Sequence, residues 1–268
     1  MQQIRAFISD LDGTLLNDAH QMTDRTAQAL RRVMARGVKV ILASGRSAAS
    51  IRPMIARVGT PWPYIAYNGA QILDAETNLV LSASEIPVPV AAEVLSWLEA
   101  RKVYAQYYEG DTWFYESPCP MSETYGKSTG IPGTRAPDRL SASVRRPTPK
   151  VLAVDTPERV QELIREGSGA FSLPLTLTIS HPSFLEITMP DATKGHAVRK
   201  LAAMLSLTPE TTLCAGDSLN DLSMLEWSDF PVTVADAREE VRAVAWRVAG
   251  KASDDGVAAL LDELIPGA

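Results

Sequence analysis

The fold is decided by the stretch Ile8-Ser9-Asp10-Leu11-Asp12-Gly13-Thr14-Leu15-Leu16. The run Ile4–Ile8 that leads into it is short and mostly apolar, which predicts a buried strand. Gly13 has the backbone freedom that a sharp turn after this strand requires. Ligands of an open α/β sheet bind at the carboxyl ends of its strands, which is where Asp10 and Asp12 would lie. The acid pair therefore favours a catalytic site, although an Asp-Gly pair also marks ordinary turns.

Size and composition indicate a globular protein without a nucleic-acid or membrane partner. The chain has 268 residues, 46% hydrophobic and 22% charged, which suits one large domain or two modest ones. Its net charge of −6 argues against nucleic-acid binding, which usually needs a basic patch. No apolar run reaches the roughly 20 residues of a membrane span, and the N-terminus does not resemble a signal peptide. Cys119 and Cys214 imply no disulfide framework, so we expect a soluble cytoplasmic protein.

Strands and helices alternate at both ends of the chain. After the first strand, the pattern predicts a helix within Thr23–Arg36, a strand at Val38–Ala43, a helix from Ser44 through Val58 and a strand at Tyr64–Ala66. Toward the C-terminus it predicts a helix at Lys194–Leu205 and strands at Thr211–Ala215 and Pro231–Val234. This order is typical of βαβ units around a parallel sheet.

The segment from about residue 83 has a different character. Its patterning predicts a hairpin from Val103–Tyr108 and Thr112–Glu116, strands at Lys150–Asp155, Leu175–Ser180 and Phe184–Thr188, and a helix at Pro157–Glu166. Runs of strands around few helices indicate a separate α+β unit. We therefore predict an α/β fold in which a core domain of residues 1–83 and 188–268 is interrupted by an inserted α+β domain of residues 84–187.

Four groups of polar side chains fall at the strand ends or helix starts of the predicted core. They are Asp10 with Asp12, Ser44-Gly45-Arg46, Lys194, and Asp217 with Asp221. Each has an ordinary explanation, such as helix capping by Ser44. Together they supply several carboxylates, a hydroxyl beside backbone N–H groups and one ammonium, a set that suits Mg²⁺ and phosphate. The scattered His20, His181 and His196 predict no zinc site.

Four sequence motifs, which contain these polar side chains, resemble in type and in order along the chain those of the haloacid dehalogenase-like phosphatases. The resemblance spans nearly the whole chain and rests on Asp10-Leu11-Asp12-Gly13-Thr14, Val40-Ile41-Leu42-Ala43-Ser44-Gly45-Arg46, Lys194-Gly195 and Gly216-Asp217-Ser218-Leu219-Asn220-Asp221. The run Phe184-Leu185-Glu186-Ile187 and the large insertion are similar to the Cof-type subclass IIB. The resemblance implies a Rossmann-like parallel-sheet core for catalysis and an α/β cap that selects the substrate.

The resemblance also implies the catalytic residues, which would be Asp10, Asp12 and Lys194. Asp10 is expected to be the nucleophile that becomes an aspartyl-phosphate. Asp12 is expected to act as general acid and then general base, with an elevated pKa caused by crowded carboxylates and partial burial. Lys194 is expected to oppose the repulsion between Asp10 and the anionic phosphate.

Mg²⁺ and phosphate ligands follow from the same resemblance. Mg²⁺ would be held by Asp10, Asp217, the backbone carbonyl of Asp12 and, through water, Asp221. Phosphate would be bound by Ser44, Gly45, Lys194 and Asn220. The sequence departs from the family pattern at Ser218, where Asn is frequent, and at Ala235-Asp236-Ala237, where Gly-Asn-Ala is common.

The implied function is Mg²⁺-dependent hydrolysis of a small phosphorylated metabolite. A sugar phosphate is favoured and a cofactor phosphate comes next. One alternative is phosphoryl transfer of the phosphosugar mutase type, and another is a non-catalytic metabolite-binding module. The sequence leaves the substrate, the cap residues that contact it and the oligomeric state open.

Overall fold

The computed structural model describes residues 4–118, 120, 123, 126 and 130–266. They form two compact units, one comprising the described residues up to Ser82 and from Thr193 onward, the other spanning Ala83–Ala192. The assignment of catalysis to the first unit and substrate selection to the second stays a prediction. In the described part of the chain, no helix combines the length and apolar character needed to cross a bilayer. Cys214 is a buried free thiol, whereas Cys119 lies outside the described residues.

The elements are numbered in chain order. The strands are β1 (Ala6–Ser9), β2 (Lys39–Leu42), β3 (Tyr64–Ala66), β4 (Gln71–Leu73), β5 (Val80–Ala83), β6 (Tyr104–Glu109), β7 (Thr112–Tyr115), β8 (Thr134–Arg135), β9 (Val151–Val154), β10 (Thr176–His181), β11 (Phe184–Thr188), β12 (Thr212–Ala215), β13 (Phe230–Val234) and β14 (Arg247–Ala249). The helices are α1 (Asp24–Ala35), α2 (Ala48–Val58), α3 (Val88–Ala100), α4 (Leu140–Ser143), α5 (Pro157–Gly167), α6 (Lys194–Leu205), α7 (Leu222–Leu225), α8 (Glu239–Val244) and α9 (Gly256–Leu264).

The main sheet of the first unit is parallel, as predicted. Its described strands follow the order β14-β13-β12-β1-β2. The chain leaves β1 toward β2 on one side and returns at β12 on the other, so the strand order reverses at β1. Open α/β sheets bind ligands at this kind of reversal, outside the carboxyl ends of the strands. The sheet therefore brings the segments after β1, β2 and β12 to one edge.

Helix α6 begins and ends at the residues predicted from its apolar stripe. The Thr193 hydroxyl caps it by accepting a hydrogen bond from the His196 N–H at 3.2 Å. Val198 and Leu201 are fully buried, so the stripe packs into the core. This packing holds Lys194 in the first turn of the helix.

A three-stranded sheet, β3-β4-β5, lies next to β2 within the described residues. The Ser44 N–H donates to the Ile65 carbonyl at 2.9 Å and joins the end of β2 to β3. The sequence predicted β3 but neither β4 nor β5. Strand β4 has only three residues, too few to display a period of two. Strand β5 is mostly exposed and carries no buried alternation.

The second unit has a largely antiparallel sheet with helices. The described strands follow the order β10-β11-β9-β6-β7-β8, and only the β7–β8 pair among the recorded pairings is parallel. Its core joins helical residues such as Val94, Leu98 and Leu163 to strand residues such as Val151 and Leu185. Helix α3 was not predicted, because it begins among prolines and valines and shows little contrast between faces.

Candidate active site

Asp10 lies immediately after β1, at the edge where the strand order reverses. Its backbone N–H donates to the Ala215 carbonyl at 2.9 Å, which ties it to the end of β12. The Ser9 hydroxyl donates to the Asp10 carbonyl at 2.8 Å. Because only 5% of Asp10 is exposed, its carboxylate is held in a place that water hardly reaches.

Lys194 forms the centre of the polar cluster. Its Nζ donates to Asp10 Oδ1 and to Asp221 Oδ1, each at 2.5 Å, and the side chain is fully buried. Burial alone would lower the pKa of Lys194, but the charges of Asp10 and Asp221 raise it above its ordinary value. The ammonium therefore stays charged. A β-carbon on Gly195 would overlap the Ser223 backbone oxygen, so this close packing of α6 requires glycine.

Asp217 and Asp221 follow β12 and are fixed by separate sets of donors. The hydroxyls of Thr14 and Ser218 donate to the two oxygens of Asp217 at 3.0 and 2.9 Å. Asp221 Oδ2 accepts from the backbone N–H groups of Asp217 and Ser218 at 3.1 and 3.0 Å. Ser218, whose role the sequence left open, thus orients Asp217. Asp236 is exposed.

Asp10, Asp217 and Asp221 form an acidic cluster in which carboxylate oxygens lie within 4.8 Å of one another. Burial raises the pKa of Asp10 well above its ordinary value, although Lys194 opposes the shift. Burial and the charge of Asp221 also raise the pKa of Asp217. Three carboxylates that face one ammonium leave excess negative charge in a poorly solvated place. The cluster therefore fits a divalent cation that prefers hard oxygen ligands.

Asp12 points to different partners. Arg46 binds it with two hydrogen bonds, Nε to Oδ2 at 2.7 Å and Nη2 to Oδ1 at 2.6 Å, and His20 Nδ1 lies 2.9 Å from Oδ1. Burial alone would raise the pKa of Asp12, but Arg46 and His20 together lower it below its ordinary value. The expected elevated pKa is therefore wrong for this arrangement, because Asp12 faces cationic and donor groups rather than the other carboxylates. Its carbonyl as a metal ligand stays a prediction.

Three of the predicted phosphate-binding residues, Ser44, Gly45 and Asn220, lie on two segments that Asn68 connects, whereas Lys194 lies in α6. Ser44 Oγ accepts from the Arg46 N–H at 3.2 Å, inside the loop after β2. Gly45 packs against Asn68, whose Oδ1 would lie 2.8 Å from a β-carbon at position 45. Asn220 Nδ2 donates to Asn68 Oδ1 at 2.9 Å.

Sequence reasoning missed the parts that Arg46, His20 and Asn68 play in this site. The sequence indicates Arg46 only as part of its motif, and His20 only as one of three scattered histidines. His20 is exposed, but its left-handed backbone (φ 56°) accompanies the contact with Asp12. Asn68 and Gly69 form an Asn-Gly pair, which in the sequence indicates a turn and nothing about the Asn68 side chain. This turn signal is the feature of the sequence that indicates the positive φ angles at positions 67–69.

Gly69→Ala is expected to destabilise the first unit by about 2–4 kcal/mol, because two penalties combine. Gly69 has φ 103°, and a β-carbon there would overlap the backbone of Thr193 at the start of α6. Gly59→Ala is the matched control, since Gly59 is also left-handed (φ 74°) but has nothing within 4 Å of the added carbon. The control should cost only about 1 kcal/mol. Urea unfolding measures both, and equal losses would contradict the close approach of residue 69 to α6.

The chain is similar to known hydrolases over nearly its whole length. The family model of haloacid dehalogenase-like hydrolases matches residues 7–261. The YxeH protein of Bacillus subtilis is 30% identical over 96% of this chain and 96% of its own length. Pyridoxal phosphate phosphatase YbhA of Escherichia coli is 27% identical over 95% of this chain and 96% of its own. The crystal structure of TM0651 from Thermotoga maritima covers 97% of both chains with a TM-score of 0.89 and 30% identity.

Proposed function

The chain belongs to the haloacid dehalogenase-like hydrolases, and from this premise we propose that it is a Mg²⁺-dependent phosphatase that acts on a small phosphorylated metabolite through an aspartyl-phosphate on Asp10. The phosphatase class is shared with relatives such as YbhA. The observation that carries the proposal is the buried contact of Lys194 with Asp10 and Asp221, beside the acidic cluster. An ammonium and a cation site flank one carboxylate, which suits attack on an anion.

The residues that would hold Mg²⁺ are Asp10 and Asp217, together with the Asp12 carbonyl and, through water, Asp221. When bound, the cation would neutralise part of the negative charge that a carboxylate and a phosphate share. Asp217 keeps its orientation through the Thr14 and Ser218 hydroxyls, so its oxygens do not need to reorganise.

Asp10 would attack phosphorus and form a bond from its carboxylate oxygen while the bond to the leaving oxygen breaks. At about 4 Å and an effective dielectric constant near 20, one pair of unit negative charges repels by about 4 kcal/mol. Lys194 opposes this repulsion, because its charged Nζ already contacts Asp10. Ser44, Gly45 and Asn220 would hold the other phosphate oxygens through hydroxyl, backbone and amide donors.

Asp12 would give a proton to the leaving oxygen and later take one from the water that releases phosphate from Asp10. Its lowered pKa keeps Asp12 ionised, as a base must be, but makes it a weaker proton acceptor. The first step requires Asp12 to carry a proton, so it must first leave Arg46 and His20; the burial that remains then raises its pKa and lets it take up the proton that it gives to the leaving oxygen. Arg46 thus controls both the orientation and the protonation of Asp12.

The substrate proposal is tested by phosphate release from a panel of phosphorylated metabolites. We expect sugar phosphates to be the best class and cofactor phosphates, including pyridoxal phosphate, to come next. The best compound should reach a kcat/KM of about 10⁴ M⁻¹ s⁻¹ or more. Release from phosphopeptides or nucleic acid only, with no turnover of small compounds, would contradict the proposal.

Excess EDTA is expected to slow hydrolysis of p-nitrophenyl phosphate at least about 100-fold, since loss of a cation worth several kcal/mol leaves charge repulsion uncompensated. Added Mg²⁺ should restore the rate, and K⁺ at equal ionic strength should not. Full activity in EDTA would exclude a cation role for the acidic cluster.

Mutase-type transfer is the remaining alternative. A hydrolase releases inorganic phosphate without an activating bisphosphate, whereas a mutase returns an isomeric sugar phosphate. We expect one inorganic phosphate to be released for each molecule of sugar phosphate that is consumed. The non-catalytic module is not retained, because the chain shares the enzyme class of its relatives.

A further inference from the structure

Residues 67–69 have an unusual backbone next to the loop of residues 44–46, which follows β2 and is proposed to bind phosphate. Tyr67, Asn68 and Gly69 have φ of 52°, 56° and 103°, three consecutive residues in the left-handed region. The Tyr67 N–H donates to the Arg46 carbonyl at 2.9 Å, and the Asn68 N–H to the Ser44 carbonyl at 3.0 Å. The segment therefore pairs with the loop after β2 through both of these backbone bonds.

The Asn68 side chain connects this loop to a second one. Its amide packs directly on Gly45, where a β-carbon would lie 2.8 Å from Oδ1 and 3.2 Å from Nδ2. The same Oδ1 accepts a hydrogen bond from Asn220 Nδ2 at 2.9 Å. Asn220 belongs to the turn Leu219–Asp221, which follows β12. One side chain thus links the segments that follow β2 and β12.

We propose that Asn68 is a positioning residue for phosphate binding, which fixes the amide of Asn220 and the loop Ser44–Arg46. The inference rests on the proposed function, since that function assigns a phosphoryl group to these residues. An amide NH₂ group has two hydrogens, so a bond to Asn68 fixes the plane of the Asn220 amide and directs the second hydrogen. Asn68 itself acts through Asn220 and Gly45.

The choice of asparagine has a simpler explanation that must be separated from this role. Asparagine tolerates left-handed backbone better than most residues, so Asn68 could serve the turn alone. Glycine accepts the same conformation without an amide. Asn68→Gly therefore keeps the turn and removes the side chain that makes the link. Asn78→Gly is the matched control, because Asn78 has a similar left-handed φ of 58° and its Oδ1 also accepts a hydrogen bond, from the Tyr64 hydroxyl at 3.2 Å, but it lies in the loop between β4 and β5.

Calorimetric titration with inorganic phosphate in the presence of Mg²⁺ measures the effect without turnover. Asn68→Gly should weaken phosphate binding about three- to tenfold, the effect of one lost hydrogen bond, and Asn78→Gly less than about twofold. KM for p-nitrophenyl phosphate should rise in proportion while kcat stays within about twofold, as expected when ground-state and transition-state binding weaken together. Unchanged phosphate affinity in Asn68→Gly, or equal losses in both variants, would overturn the proposal.

A double-mutant cycle with Asn220→Ala separates positioning from a general structural effect. If Asn68 acts mainly through Asn220, the double variant should bind phosphate within about twofold of Asn220→Ala alone. Additive losses would overturn this coupling. Asn68→Asp provides a second probe that retains an acceptor for Asn220 and places a carboxylate beside the loop. It should weaken phosphate binding at least about tenfold through charge repulsion, and an unchanged affinity would contradict the proposed location.

Failure of the inference and failure of the proposed function give different results. Wild-type protein that binds phosphate but hydrolyses no phosphomonoester would refute the phosphatase mechanism, while the affinities of the variants still decide the role of Asn68. Wild-type turnover with an unaffected Asn68→Gly would refute the role of Asn68 alone.

Discussion

Asp10→Asn is expected to reduce phosphate release from p-nitrophenyl phosphate by at least about 10⁴-fold, because the substitution removes the nucleophile of a covalent mechanism. The amide has nearly the size of the carboxylate but is neutral and poorly nucleophilic. Its oxygen can still accept the hydrogen bond that Asp10 Oδ1 receives from Lys194 at 2.5 Å. We therefore expect the fold to persist while the rate is lost.

The control for this prediction is Asp236→Asn, an identical change at an exposed position. Its rate should stay within about twofold of wild type, as for most surface substitutions. Initial rates at saturating substrate and circular dichroism of both variants make the comparison. Turnover by Asp10→Asn that is close to the wild-type rate would rule out nucleophilic catalysis by Asp10.

Lys194→Met is expected to lower both stability and activity. The side chain is fully buried and contacts Asp10 and Asp221, so its removal leaves buried carboxylates without their counter-charge. Loss of one partner of a buried ion pair typically costs about 3–5 kcal/mol of unfolding free energy. Phosphate release should fall at least about 10³-fold, because the ammonium no longer opposes the repulsion at Asp10.

Lys200→Met is the matched control, since Lys200 lies on the same helix and is partly exposed. Its unfolding free energy should change by no more than about 0.5 kcal/mol. Urea unfolding of Lys194→Met with and without Mg²⁺ adds a second comparison, in which the cation should recover part of the lost stability by binding the folded state. A Lys194→Met protein as stable and active as wild type would contradict the arrangement of charges proposed here.

The proximity of Asp10, Asp217 and Asp221 could be predicted because it follows from the topology of the sheet. Parallel strands that run in one direction present their carboxyl ends at one edge, so acids that follow β1 and β12 must lie near each other. The position of Lys194 could be predicted because its helix has a clear apolar stripe and is preceded by a threonine that can cap it. The bounds predicted for that helix from its periodicity, Lys194–Leu205, are confirmed.

The environment of Asp12 could not be predicted from the sequence. Its pKa depends on whether the side chain faces the carboxylates or Arg46, a choice of rotamer that spacing does not encode. The contact with His20 depends on the left-handed backbone of His20 itself, and the spacing of apolar residues in the sequence does not predict such a loop conformation. The role of Asn68 was hidden for the same reason, since an Asn-Gly pair predicts a turn but not what the asparagine side chain touches.

In the proposed mechanism the phosphoryl group of the substrate is transferred to Asp10 before water releases it. A single-turnover reaction with p-nitrophenyl phosphate, quenched in acid and reduced with borohydride, converts an aspartyl-phosphate to homoserine, which peptide mass spectrometry locates. We predict this conversion at Asp10 in the wild-type enzyme and at no position in Asp10→Asn. Conversion at another residue, or turnover without any modified residue at times when product forms, would contradict a covalent mechanism through Asp10.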